Sequence, residues 1–211
     1  MIPDDDLDVR ASWATQPAFY DAPHPPGVTP RQYQLAGVEY ALARDYALFG
    51  DAPGLGKTPE CVMLGNAIEA RRTLVVCPAS LRLNWEREVW RWSTISNVRT
   101  YPILTARDGV SPEAHYIIVS YDMLRCEPIF RALMTARWDH LVLDEAHYLK
   151  DPGGNRRTKA VCGWNEKGIY HPGLADVAGR ITMATGTILP NQPVECYNAI
   201  RLLNWDAIDR A

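Results

Sequence analysis

Two stretches carry residues that could handle a phosphate ester together. In GDAPGLGKT (50–58), Gly54 and Gly56 flank Leu55 and lead into Lys57 and Thr58. Glycines let the backbone curl so that its N–H groups point inward as an anion nest at a helix N-terminus. Lys57 supplies a compact positive charge for β- and γ-phosphates, and the Thr58 hydroxyl is suited to a magnesium ion. In HLVLDEAHYLK (140–150), an apolar run ends in adjacent carboxylates, Asp144 and Glu145. At the carboxyl end of a parallel strand they would face the crevice where such sheets bind ligands. There Asp144 would hold Mg²⁺ through water, and Glu145 would orient or deprotonate an attacking water.

The first stretch departs from the strict G-x-x-x-x-G-K-[ST] pattern. Asp51 replaces the first Gly, and Pro59 follows Thr58 directly. Pro59 is tolerable because the first helical turn has no intrahelical use for its N–H, although it biases Thr58 away from helical angles. Lys57, Asp144 and Glu145 are the candidate catalytic residues. Thr58 and Asp144 are the candidate metal residues, and Gly54, Leu55, Gly56, Lys57 and Thr58 form the candidate phosphate cradle.

Such a site needs strands to present it. YALFG (46–50), TLVVC (73–77), YIIVS (116–120), HLVLD (140–144) and RITMAT (180–185) read as buried strands, being short, apolar and bounded by polar breakers. Helices fit 29–44, with Thr29 as N-cap, Pro30 in the first turn and Leu35, Val38 and Leu42 on one stripe. They also fit 57–72, 80–92, 126–136 and 193–203, with a short one in NRRTKAVCGW (155–164). The rest of 151–179 reads as loop. The alternation predicts an α/β fold, a mostly parallel sheet sandwiched by helices. Residues 1–28 are acidic and then Pro-rich (DAPHPPG), an expected extended arm before a body at 29–211.

Composition sets the class. The 211 residues are 47% hydrophobic and 22% charged, the profile of one ordinary globular domain. A net charge of −3 gives no general basic field, so contact with nucleic acid would need a local patch. Five scattered cysteines without C-x-x-C spacing favour a reduced chain over a zinc site. The start lacks an apolar signal, and no run reaches the ~18 residues of a membrane span. The expectation is a soluble cytoplasmic protein with no membrane partner.

With these motifs in place, the chain resembles the first RecA-like lobe of the Swi/Snf-like DNA translocases of helicase superfamily two, over about residues 29–204. DAPGLGKT and LDEAH look like motifs I and II, which implies a P-loop NTPase binding ATP and Mg²⁺. TPRQYQLAGVEYAL resembles the Q motif, implying that Gln34 reads the adenine edge and placing Arg31 among the nucleotide-binding residues. VVCPASLRLNWEREVWRW is similar to motif Ia and IIVSYDML to motif Ib. By that resemblance Pro78, Ser80, Asn84, Ser120 and Tyr121 touch the nucleic-acid backbone. ATGTILPNQPVECYNAIRLL resembles motif III, implying that His147, Thr185, Gly186 and Thr187 couple hydrolysis to movement. Ala52 stands in place of the family's usual Glu, Ile188 in place of Pro, and Pro190 in place of Gln.

Other residues keep two readings. His147 could instead be a satisfied histidine at the sheet edge. Trp85, Trp90 and Trp92 fit core packing better than base stacking, given their helical spacing. NRRTK (155–159) suits a phosphate contact or a solvated basic run equally. His24, His115, His140 and His171 have no partner spacing and receive no role.

The resemblance implies the ATP-binding lobe of a DNA-dependent ATPase, associated with DNA (expected double-stranded, with RNA left open) and read without sequence preference. A second RecA-like lobe, in cis or in trans, would supply the arginines that complete hydrolysis; no second P-loop pattern follows Asn191. Two other classes stay open: a stand-alone nucleotide-dependent protein-binding module, and a single lobe that completes its site by self-association.

Overall fold

A computed structural model describes residues 18–149, 155–186 and 197–203. Six parallel strands make one sheet: β1 (Tyr46–Phe49), β2 (Thr73–Cys77), β3 (Thr100–Pro102), β4 (Tyr116–Ser120), β5 (His140–Asp144) and β8 (Ile181–Ala184). Their spatial order is β1-β8-β5-β2-β4-β3. β6 (Trp164–Glu166) and β7 (Ile169–His171) form a separate antiparallel hairpin.

The five longer strands coincide with the apolar runs of the sequence, because strands covered on both faces read as continuous hydrophobic segments. Alternate side chains enter two different cores. Leu74, Val76, Leu141 and Leu143 point to one side, where α4 (Glu127–Thr135), α5 (Arg156–Cys162) and α6 (Tyr197–Leu203) add Ile129, Leu133, Val161 and Leu202. Val75, Cys77, Ile118 and Val142 point to the other. There α1 (Gln32–Leu42), α2 (Lys57–Ala67) and α3 (Arg82–Trp92) supply Val38, Val62, Leu64, Trp85 and Val89. The sheet is thus sandwiched by helices, as the alternation predicts.

Three details differ from the sequence reading. The N-cap of α1 is Arg31 rather than Thr29: its backbone N–H donates to the Gln34 side-chain carbonyl at 2.9 Å, so a glutamine in the first turn does the capping. β3 lies in a segment where the sequence predicts no element, and the hairpin falls in the stretch 151–179 read mostly as loop, each strand being three residues with no apolar run. The hairpin turn at Lys167–Gly168 has positive φ at both positions (51° and 82°), as a two-residue turn between twisted strands requires. α2 stops at Ala67, where Glu69 turns left-handed at φ 53°.

The register of β1, β8 and β5 fixes where the loops emerge. Phe49 pairs with Ala184, and Ala184 with Asp144, so the three strands end in one row. With strands about 4.8 Å apart, the loop after β1 leaves the sheet about 10 Å from the acidic pair after β5, with the β8 loop between them. At the opposite end of β8, Arg180 ties the sheet to the end of α1 by donating to Ala41 O (2.8 Å), Leu42 O and Arg44 O.

Candidate nucleotide site

The loop after β1 is shaped by two left-handed glycines. Gly54 has φ 84° and Gly56 φ 91°. A Cβ on Gly54 would meet no atom of the described residues within 4 Å, whereas one on Gly56 would sit 2.3 Å from the Gln34 amide nitrogen. Gly56 is also the N-cap of α2, so the first N–H groups of that helix have no carbonyl partner of their own and open toward the loop. Lys57 lies behind them, 9% exposed, with Nζ donating to Asp51 O at 2.7 Å and Ala52 O at 3.2 Å. Thr58 follows, half-buried.

α1 clamps the loop from outside. Gln34 donates from Nε2 to Leu55 O (3.2 Å) and Gly56 O (3.3 Å), and Tyr33 donates its phenol to Leu55 O at 2.7 Å. The Gln34 amide is therefore spent on protein atoms at both ends, while Arg31 beside it is exposed. Tyr33 has no place among the sequence candidates, since an aromatic on a helix face looks like core.

Across the row, Asp144 closes β5 at 7% exposure with both carboxylate oxygens engaged. Oδ1 accepts the Glu145 N–H at 3.0 Å and Oδ2 accepts the Trp85 indole N–H at 2.7 Å. Burial raises the Asp144 carboxyl above its ordinary range; the Trp85 hydrogen bond opposes that, and Lys57 helps to oppose it as a nearby positive charge. Glu145 is held at φ 51°, an unusual angle for a side-chain-bearing residue, which breaks the strand direction and turns the chain away. Glu145 Oε2 lies 3.1 Å from His147 Nδ1, and that nitrogen lies 3.3 Å from Thr185 Oγ1. The Thr185 N–H donates to Phe49 O at 3.1 Å. Gly186 packs on the loop after β1 so closely that a Cβ would stand 2.7 Å from Pro53 Cγ. Loop, acidic pair and the end of β8 thus form one contiguous group; Thr187, Ile188 and Pro190 lie outside the described residues.

Glu60, in the first turn of α2, is the other titratable group here. It is fully buried, neither oxygen has a hydrogen-bond partner among the described residues, and burial, reinforced by the Asp51 carboxylate, pushes its pKa up to about 9. In the sequence it looks like an ordinary first-turn acid, because nothing local reveals that α2 is buried on that side.

The expected nucleic-acid residues divide. Ser80 and Asn84 are exposed and Pro78 is half-buried, at the start of α3. Ser120 and Tyr121 are 3% and 1% exposed, so their side chains do not present a surface. The Tyr121 phenol donates to Asp144 O at 2.9 Å and its ring stacks on Tyr148, while Ser120 Oγ accepts the Met123 N–H at 3.3 Å. The physical reason is that β4 is an interior strand and its end packs beneath the β5 turn. Trp85 and Trp92 are core, as their spacing predicts, but Trp90 is 57% exposed. Arg157 in the basic run is paired with Asp122, Nε to Oδ1 at 3.1 Å.

Comparison with known proteins adds the relationship. A family model described as SNF2-related domain matches residues 33–165. Chromatin remodeling factor mit1 of Schizosaccharomyces pombe is 26% identical over 94% of this chain and 14% of its own length. The SWI/SNF-related matrix-associated actin-dependent regulator of chromatin subfamily A-like protein 1 of Bos taurus is 28% identical over 80% of this chain and 17% of its own. The chain thus spans a seventh to a sixth of these relatives. Among solved structures, the Sulfolobus solfataricus SWI2/SNF2 ATPase core in complex with dsDNA superposes with TM-score 0.68 at 22% identity, covering 88% of this chain and 38% of that one. The SWI2/SNF2 ATPase core domain from the same organism gives TM-score 0.66 at 21% identity, covering 84% and 35%. These two likenesses establish a shared fold.

Proposed function

Because the chain belongs to the SNF2-related domain family, we propose that it is the ATP-binding lobe of a DNA-dependent ATPase of the translocase type, dependent on a second RecA-like lobe for efficient hydrolysis. The observation that carries this reading is the common row of Phe49, Ala184 and Asp144, which brings the phosphate loop, the acidic pair and the β8 end together.

The residues suit a magnesium nucleotide. The open N-terminus of α2, the two left-handed glycines and the buried ammonium of Lys57 favour polyanionic oxygen. Lys57 already satisfies itself with two carbonyl oxygens, so the position is chemically suited to phosphate oxygens in their place. Thr58 and Asp144 offer hard oxygen ligands, directly or through water, of the kind magnesium takes. Magnesium bound there would neutralise phosphate charge. Glu145 is the base that orients water, and its contact with His147 fixes the carboxylate and links it to Thr185. Gln34 and Tyr33 hold the loop in shape, and Arg31 is free on the surface to meet the base or sugar.

DNA is the proposed track, met through the Ser80–Asn84 segment, where Ser80, Leu83 and Asn84 are exposed, without base specificity. Two observations support it: the solved core superposed above is in complex with dsDNA, and the curated relatives are chromatin factors by name. The solved cores also extend well beyond the matched part, which supports a covering second lobe in this chain's working form.

Calorimetry tests the reading directly. Mg-ATP gives a heat of binding with the wild-type chain, and Lys57→Ala weakens that binding at least about tenfold, the loss of one charge-assisted contact. Absence of any heat with the wild type refutes the proposal. ATPase activity stimulated jointly by duplex DNA and a cognate second lobe would separate a motor from a nucleotide-dependent binding module, which DNA would leave unchanged.

A further inference from the structure

The hydrogen bond from Trp85 to Asp144 joins two residues 59 positions apart that serve different surfaces. Trp85 lies in the first turn of α3, directly after exposed Leu83 and Asn84, and its indole is 1% exposed. Its single N–H has one acceptor, Oδ2 of Asp144, at 2.7 Å. The other oxygen of that carboxylate accepts the Glu145 N–H, so the carboxylate plane is fixed from two sides and each oxygen keeps a lone pair for a further partner. In dry surroundings such a charge-assisted bond is strong and directional.

The start of α3 is itself braced. Arg82 donates to Ala79 O at 3.0 Å and to Leu104 O at 3.2 Å, tying the preceding turn to the loop after β3. Val89 and Trp92 continue the buried face of the helix. A load on Ser80–Asn84 therefore reaches the indole through rigid packing, and the indole meets the carboxylate with no intervening residue.

We propose that Trp85 is a positioning residue that ties the exposed start of α3 to the Asp144 carboxylate, so that nucleic acid bound at Ser80–Asn84 sets how tightly magnesium is held. This inference rests on the reading of Asp144 as the magnesium-facing carboxylate. It goes beyond it by assigning a specific wire between the two ligand surfaces.

The test uses Trp85→Phe, which keeps an aromatic ring and removes the N–H. ATP binding to the full chain is titrated across magnesium concentrations, with and without a short DNA duplex. Wild type and variant are expected to bind magnesium-free ATP alike, because the phosphate loop is untouched. The magnesium midpoint is expected to rise about tenfold in the variant, the scale seen when an outer-shell hydrogen bond that orients a metal-facing carboxylate is removed. Duplex DNA lowers that midpoint in the wild type and leaves it unmoved in the variant. A purely packing role would weaken both forms of ATP binding together, and an unchanged magnesium midpoint overturns the proposal. Should the variant fail to fold, the indole ¹⁵N–¹H resonance of Trp85 decides: it must shift in Asp144→Asn and again when duplex is added to the Mg-ATP form, and indifference to either overturns the link. A wild type that takes up no Mg-ATP refutes the functional reading, and this is visible without any variant.

Discussion

Glu60 and His140 are buried ionisable groups with opposite consequences for stability. Glu60 carries its proton in the fold to about pH 9, against an ordinary value of 4.5. A raised folded pKa gives stability that is complete below 4.5 and lost as pH climbs toward 9. His140 is fully buried, its Nε2 2.8 Å from Thr182 Oγ1, and burial, helped by Arg180, lowers its pKa from 6.5 to about 3. The unfolded chain therefore takes up that proton first, and stability falls as pH drops below 6.5. Between 4.5 and 6.5 the two slopes oppose each other, so a melting-temperature profile is expected to be flat there and to decline on either side. Glu60→Gln removes the alkaline decline, worth about 1 kcal/mol per pH unit; an unchanged alkaline limb would refute the assignment. Neither behaviour was legible in the sequence, where Glu60 passes for a helix-start acid and His140 opens an apolar run without a partner. Lys57, Asp144 and Glu145 were legible because their chemistry is spelled by neighbours in the chain. The Trp85 contact was not, because only the fold brings it to Asp144.

At the scale of elements, the phosphate loop separates two kinds of glycine. Gly54→Ala meets no atom of the described residues and carries only the strain of a left-handed residue, about 1 kcal/mol. Gly56→Ala adds a collision with Gln34, the residue that clamps the loop to α1. Nucleotide affinity by calorimetry is therefore expected to fall severalfold for Gly54→Ala and further for Gly56→Ala, whereas equal losses would contradict the clamp. The five apolar strands could be read ahead because burial on both faces leaves an unbroken hydrophobic run. β3 and the hairpin could not, since three residues at an edge or on the surface obey no such pattern. The Lys167–Gly168 turn offered a signal, but without apolar flanks it resembled any polar loop.

For the molecule as a whole, the sheet is a shared wall between two apolar layers. Trp85 lies in one and Trp138 in the other, yet both layers draw on alternate residues of the same strands. Neither layer can melt while the other stays intact. Thermal unfolding followed by far-ultraviolet circular dichroism and by tryptophan fluorescence is expected to give one coincident midpoint; a separate early fluorescence step would show that one layer opens independently.

The ammonium of Lys57, resting on the carbonyls of Asp51 and Ala52, has a consequence for timing. On the proposed reading, phosphate oxygens would exchange for the carbonyls that already hold the lysine, so capture would be a substitution, with less net gain than filling an unsatisfied pocket. The displaced carbonyls would stay within reach of the same nitrogen and could reclaim it on release. On that reading the arrangement would favour turnover over tenacity.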